Sequence, residues 1–234
     1  MTGSAPARRT VAVVPARAGS RGLPGKNLMT VGGSSLVARA VRNAREAGIE
    51  QVVVSTDGPD IAAEAEQLGA TVVRRPAELS TGTSRTVSAL LHVARALELP
   101  NDATVVLLQP TSPLRTSGDV RAVLERHALG DVRTTLTVAP AEHHPYKQLL
   151  VAPDGSARPV RTWPDLEAPR QELPEALRIN GAVYATALGA MRAADAVIVP
   201  DVAAVPMPAE RSIDVDTLDD LERVRRAARD LGEA

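Results

Sequence analysis

The stretch VVPARAGSRGLPGKN, residues 13–27, decides the fold. It follows a β-branched run, Thr10 to Val14, that reads as a buried strand, and it precedes an apolar helical pattern whose start is marked by Ser34 or Ser35. Gly19, Gly22 and Gly25 recur every third residue, so the backbone between strand and helix can take positive φ and approach a ligand without a Cβ in the way. Arg17, Arg21 and Lys26 set fixed positive charge beside those N–H groups, which suits an anion, and three cations suit a triphosphate best. The Walker pattern is excluded because Asn27 follows Lys26 where Ser or Thr is needed, and the dinucleotide fingerprint is excluded because the glycine spacing is G-x-x-G-x-x-G. Taken alone, the stretch also fits an ordinary surface loop, so its neighbours must decide.

Outward from the loop, Leu36, Val37, Ala40, Val41 and Ala44 share one helical face that Gly48 closes. QVVVST, 51–56, reads as a second strand ending at Asp57, and Ile61, Ala65 and Leu68 mark a helix closed by Gly69. A third strand, TVVRR, 71–75, leads through the loop ELSTGTSRT, 78–86, to a helix carrying Val87, Leu90, Leu91, Ala94 and Leu97, and TVVLLQ, 104–109, is a fourth strand. Strands that are apolar without alternation, separated by helices, predict a mostly parallel sheet covered on both faces. Ligands of such sheets bind outside the carboxyl ends of the strands, and this order brings residues 15–27, 55–57, 74–76 and 109–115 to that edge. From 140 to 176 the chain is rich in Pro and charge with no helical period, which predicts an insertion. NGAVYAT, 180–186, and AVIVP, 196–200, read as further strands, and Leu218, Leu221, Val224 and Leu231 mark a closing helix. The expected architecture is therefore a three-layer α/β/α Rossmann-like core, residues 9–139 and 177–234, with a lobe inserted at 140–176.

Composition narrows the chemistry. With 27 basic and 28 acidic residues the net charge is −1, so there is no global field of the kind that recruits nucleic acid, and any cationic site is local. Cysteine is absent, which removes disulfides, thiol nucleophiles and thiolate metal sites. No apolar stretch approaches the roughly 20 residues of a membrane helix, and MTGSAPARR lacks the apolar core of a signal peptide, so a cytoplasmic location is expected. Phenylalanine is absent as well, leaving Trp163, Tyr146 and Tyr184 as the aromatics and a core of Ala, Val, Leu and Ile.

SIDVDT places Asp214 and Asp216 two residues apart on an extended segment, so both carboxylates project from one face and form a candidate Mg²⁺ pair. Thr217, Asp219 and Asp220 read instead as the cap and first turn of the closing helix. LLQPTSPLR, 107–115, holds Gln109 and Arg115 on a proline-stiffened turn. Lys147, Arg170 and Gln171, on the insertion, suit a carboxylate-bearing substrate, although each taken singly also fits a solvated charged face. His143 and His144 are adjacent and point apart in an extended chain, so no chemistry is assigned to them.

In order, VVPARAGSRGLPGKN, VVVSTDGPDIAAEAEQLGA, VVRRPAEL, LLQPTSPLR, EHHPYK, PRQELPEALRINGAVY and SIDVDT make the chain resemble the acylneuraminate cytidylyltransferases, the CMP-sialic acid synthetases. The resemblance runs from about Val11 to the closing helix. It implies a nucleotidyltransferase that moves CMP from CTP to an acidic sugar such as N-acetylneuraminate, with Mg²⁺ and release of pyrophosphate. It implies that Arg17, Ala18, Gly19, Ser20, Lys26 and Asn27 hold the triphosphate, and that Arg75, Thr83 and Thr86 contact the cytidine. Asp214 and Asp216 would hold the metal, with Arg17, Lys26, Lys147 and Asp216 as the catalytic set. Gln109, Arg115, Lys147, Arg170, Gln171, Arg178, Asn180 and Tyr184 would face the acceptor, and the 140–176 lobe would make a homodimer by reaching into a partner's site. Gly82 stands where the family commonly has an acidic residue, and Ala196 to Ile198 stand where sialate enzymes carry an aromatic pair. The acceptor thus stays open between a nonulosonate and a small phosphonate such as phosphonoformate, and a catalytically silent nucleotide-binding module is the reading from another class.

Overall fold

A computed structural model of the chain describes residues 9–19 and 22–232. Its elements are β1 (Thr10–Pro15), the short pair β2 (Thr30–Val31) and β3 (Ser34–Ser35), α1 (Leu36–Glu46), β4 (Gln51–Thr56), α2 (Pro59–Gln67), β5 (Thr71–Arg74), α3 (Thr86–Ala96), β6 (Thr104–Leu108), α4 (Ser117–Ala128) and β7 (Thr134–Pro140). There follow β8 (Leu149–Val151), β9 (Ala157–Pro159), α5 (Trp163–Glu167), β10 (Leu177–Ala187), α6 (Leu188–Ala194), β11 (Val202–Pro206) and α7 (Leu218–Asp230).

Seven strands make one sheet in the order β11-β7-β10-β6-β1-β4-β5. All neighbours are parallel except β10, which runs antiparallel to both β6 and β7. The pleat sends successive side chains of each strand to opposite faces, and both faces are apolar. Ala12, Val14, Val52, Val54, Val106 and Leu108 pack beneath α1, α2 and α4. Val11, Val13, Val53, Val105 and Leu107 pack beneath α3 and α6. This is the expected three-layer, mostly parallel α/β fold. With no Phe to fill space, these layers are mainly Val, Ala and Leu, joined by Ile49, Ile61, Met191 and Met207.

Caps fall where polar residues meet the apolar patterns. Ser35 Oγ accepts the Ala38 amide at 3.0 Å and starts α1, and Thr217 with Asp220 forms a capping box at α7. Gly48 and Gly69 take φ of 91° and 73° just past α1 and α2, as the helix-closing reading requires. On α7, Leu221, Val224 and Ala228 join Leu23, Val31, Leu36, Leu114 and Val215 in a smaller core that props the glycine-rich loop from behind.

Two sequence expectations change. AVIVP, 196–200, is not a strand; the Val197 carbonyl accepts the Thr186 hydroxyl and the Val199 amide donates to the Thr134 hydroxyl, so side chains replace a ladder and the run crosses the sheet's edge. The edge strand is β11, six residues later, and α6 precedes the crossing. Leu218 and Leu231 bracket α7 but stay 61% and 42% exposed, because the helix's buried stripe is Leu221, Val224 and Ala228. Between β7 and β10 the chain forms a short 3-10 turn at Pro145–Lys147, the β8–β9 hairpin and α5, with Leu149, Leu150, Val151 and Trp163 left exposed. Among the described residues no helix is long and apolar enough to cross a membrane.

Candidate active site

The carboxyl ends of β1, β5 and β6 open onto one cavity of about 340 Å³, lined by Pro15, Arg17, Gly22, Lys26, Asn27, Arg75, Gln109, Pro110, Thr111 and Asp216, with Leu79 to Ala89 contributing its other wall. A larger cavity of about 850 Å³ opens between Arg9, Glu50, Gln51 and His127 at the other end of the strands, but it has no comparable ring of cations.

Each cation in the first cavity is aimed by a neutral or anionic partner. Lys26 Nζ donates to the Val215 carbonyl at 2.9 Å and to Asp216 Oδ1 at 2.8 Å, which ties the glycine-rich loop to the acidic segment. Arg17 donates to the Thr81 carbonyl at 3.0 Å, joining the loop to the 79–86 wall. Arg75 is held by the Ser55 hydroxyl and carbonyl at 3.2 and 2.7 Å, and burial lowers its pKa while Asp57 opposes that shift and Arg17 adds to it. Arg85 pairs with Asp195 Oδ2 at 2.5 Å, and spacing within the sequence gave no signal for that pair. Asn27 is buried and its side-chain amide donates to the Arg17 carbonyl, so it fixes the loop's shape. The Ala18 amide donates to Asp57 Oδ1 at 2.8 Å, a second latch, across 39 residues, that local spacing does not signal. Thr86 lines the cavity, whereas Thr83 does not and meets the Thr81 hydroxyl at 3.3 Å. Gly19 lies on the described part of the loop, and Ser20 and Arg21 fall outside the described residues.

The acidic segment is pinned by backbone and side chain together. The Val215 amide donates to the Thr111 carbonyl at 2.8 Å, and the Ser112 hydroxyl donates to Asp214 Oδ1 at 2.5 Å. Asp214 as a residue is open to solvent, but its carboxylate end turns inward, against Ser112 and Gly181. Desolvation raises its pKa most, Asp216 adds to that, and Ser112, Arg178 and Lys26 oppose it. Two carboxylates that feel each other's charge beside a cationic cavity fit a hard divalent ion that takes one or two carboxylates and completes its shell with phosphate and water oxygens. Among the described residues no group of three or more His, Cys, Asp or Glu is placed to hold a metal.

The acceptor set divides in four. Gln109 lines the cavity. Arg115 and Asn180 are each 1% exposed and are corrected here to interior roles. Asn180 is saturated by Thr137, Ser212 and the Ala182 amide at the irregularity that splits β10, and Arg115 donates to the Gln109 and Ala182 carbonyls. Tyr184 packs on the layer under α3 and α6, where burial raises its pKa, and Arg178 donates to the Ser212 carbonyl beside Asp214. Lys147 and Arg170 share a separate surface hollow with Glu142, His143 and Gln148; both spend their hydrogen bonds on backbone carbonyls, and Gln171 is exposed nearby. His144 receives the Tyr146 amide and meets the Pro174 carbonyl at 2.8 Å, so it shapes this turn.

A family model described as cytidylyltransferase matches residues 11–152. The chain is similar to CMP-N,N'-diacetyllegionaminic acid synthase of Legionella pneumophila, 36% identical over 181 residues that span 75% of this chain and 77% of that protein. It is also similar to N-acylneuraminate cytidylyltransferase of Streptococcus agalactiae serotype V, 29% identical over 92% of this chain but 52% of that protein, so the chain spans about half that relative's length. Among solved structures, CMP:2-keto-3-deoxy-manno-octonic acid synthetase complexed with CTP has the same fold, with a TM-score of 0.71 at 21% identity over 95% of this chain and 99% of that one.

Proposed function

The chain belongs to the cytidylyltransferase family, a family of nucleotidyltransferases, and from that premise we propose that it transfers CMP from CTP to a hydroxyl of an anionic sugar acid, an N-acylneuraminate or related nonulosonate, releasing pyrophosphate. The observation that carries this reading is the single cavity in which Arg17, Lys26, Arg75 and Arg85 meet Asp216 at the carboxyl edge of the sheet. Relatives named for legionaminic and neuraminic acids support a nonulosonate as the acceptor. A small phosphonate is the second reading, favoured by the absence of an aromatic ring at Ala196 to Ile198, where Val197 instead packs into the core.

Arg17 and Lys26 bind the triphosphate oxygens, Lys26 exchanging Asp216 for phosphate as it does so. With Lys26 on phosphate, Asp216 and Asp214 would be the residues to hold Mg²⁺, which would supply positive charge to the phosphate oxygens. Arg75 and Thr86 line the cytidine side of the cavity. The acceptor oxygen forms a bond to the α-phosphorus as the bond from that phosphorus to the bridging oxygen breaks; pyrophosphate leaves with that electron pair, and the hydroxyl proton passes to solvent. Fixed cations stabilise the charge that builds on the phosphoryl oxygens, without reorganising during the step. Lys147 and Arg170, held on the 140–176 lobe outside this cavity, orient the carboxylate of an acceptor bound in a partner chain of a homodimer.

Pyrophosphate release with CTP, Mg²⁺ and a panel of neuraminic and legionaminic acids, a keto-deoxy-octonate and small phosphonates tests the proposal. Turnover is expected with the nine-carbon acids. Turnover with phosphonates alone moves the assignment to the second reading, and CTP binding by calorimetry with no turnover on any acceptor replaces it with a silent binding module.

A further inference from the structure

We propose that Arg115 is a positioning residue for this transfer, acting through Gln109 and the Gly181 turn without touching a ligand; the inference rests on the cytidylyltransferase reading. The side chain is enclosed, and burial pushes the guanidinium down to about 10 while Asp119 opposes the shift. Among the described residues no carboxylate pairs with it directly, because Asp119 is taken by Arg211 and by the cap of α4. Burying a charge away from a carboxylate costs desolvation free energy, so stability alone does not explain an enclosed Arg here. What the guanidinium holds is specific. Nη1 donates to the Gln109 carbonyl at 3.1 Å and the Ala182 carbonyl at 2.7 Å, while Nε and Nη2 are enclosed without a partner.

Those two carbonyls flank one junction. Gly181 sits at φ 77°, and a Cβ there would lie 3.0 Å from Gln109 Oε1 and 3.2 Å from Asp214 Oδ2. The amide of a cavity-lining Gln and a carboxylate of the acidic pair thus meet over one glycine, and Arg115 grips the backbone on both sides of that meeting. The turn that carries Gln109 is tied down elsewhere too: Ser112 donates from its amide to the Gln109 carbonyl and from its hydroxyl to Asp214. Arg39 and Asn43 of α1 hold the Pro113 and Arg115 carbonyls at 2.8 and 2.5 Å. With these anchors in place, loss of the guanidinium fork is expected to shift the Gln109 amide relative to Asp214 while the turn itself persists.

The test is a double-mutant cycle on Arg115→Lys and Gln109→Ala. Each single variant is expected to lower kcat/KM for the acceptor about tenfold or more, with KM for CTP changed less than about twofold, as misplacement of a positioning group does. In the Gln109→Ala background, Arg115→Lys is expected to cost less than about twofold. Penalties that multiply, equal loss for CTP and acceptor, or wild-type kinetics in Gln109→Ala overturn the proposal. Amide exchange on Arg115→Lys, or on Arg115→Gln if the first variant does not fold, reads the same idea without turnover. Faster exchange confined to 109–115 and 181–183 supports it, and loosening throughout the molecule, or failure of both variants to fold, overturns it. A wild-type chain that turns over no acceptor removes the functional reading instead, and the exchange pattern still decides whether Arg115 organises this junction.

Discussion

Lys26 and Asp216 occupy each other across 2.8 Å, and two of the three equally spaced glycines serve that contact for different reasons. Gly25 needs its φ of 69° to enter the short turn that carries Lys26. Gly22 has no such need, but a Cβ on it would lie 2.6 Å from the Asp216 carbonyl oxygen, so its bare Cα is what lets the loop touch the acidic segment. Among the described residues, Gly19 has nothing within 4 Å of a Cβ position. Gly22→Ala is therefore expected to lower unfolding stability by about 1–3 kcal/mol, as overpacking does, and Gly19→Ala by less than about 0.5 kcal/mol. Urea titration of both variants checks it, and equal effects would remove the packing explanation. The sequence reading found the loop and its cations because glycine and charge are visible as residue types. It gave all three glycines one purpose because the 194-residue separation of Gly22 from Asp216 leaves no trace in local spacing. The same limit placed Arg115 with the acceptor: an Arg on a proline turn looks the same whether its guanidinium points out or in.

At the scale of elements, the parts that were legible are those whose signal is local. Val-rich runs, Ser35 and Thr217 caps, and the helix-closing Gly48 and Gly69 depend on neighbours within four residues, and each lies where expected. AVIVP misleads because its apolarity serves packing at a crossing, with Val197 in the core beneath α3 and α6, while the true edge strand, VAAVP, is shorter in apolar bulk. The helix α7 carries a prediction of its own, since its start adjoins Asp216. Thr217→Ala removes the hydroxyl that receives the Asp220 amide at 3.2 Å and donates to Asp220 Oδ2 at 2.8 Å, and is expected to destabilise the fold by about 1 kcal/mol at neutral pH. The Thr217 hydroxyl holds the Asp220 carboxyl below its ordinary 3.8, so this stabilisation is complete above that value and is lost as pH falls through the folded-state pKa. Thermal melts of the two proteins should accordingly differ most near pH 7 and less below about pH 3.8, where the hydroxyl still receives the Asp220 amide but no longer faces a carboxylate. A gap that widens in acid would assign the effect to something other than the capping box.

At the scale of the whole molecule, the distribution of cations poses the remaining question. Arg17, Lys26, Arg75 and Arg85 share one cavity, yet Lys147 and Arg170 sit in a different hollow on the segment between β7 and β10. That segment also exposes Val151 at 70% and Trp163 at 60%, apolar surface beyond what an isolated chain gains from keeping open. Both facts are accounted for if the lobe docks on a second copy and delivers Lys147 and Arg170 to that copy's acceptor, so each complete site draws residues from two chains. The consequence is complementation. Lys26→Ala and Lys147→Ala homodimers are each expected to be nearly inactive, whereas a mixed dimer keeps one site with both lysines. Random exchange of equal amounts makes half the dimers mixed, with one working site in two, so pyrophosphate release should recover to about a quarter of wild type after co-refolding or subunit exchange. Val151→Asp, which sets a charge in the exposed apolar surface, should shift light scattering to the single-chain mass and abolish the recovery while calorimetric CTP binding persists. Recovery of nothing from mixtures shown by mass to be heterodimeric would place both lysines in one chain's site, or remove Lys147 from the reaction altogether.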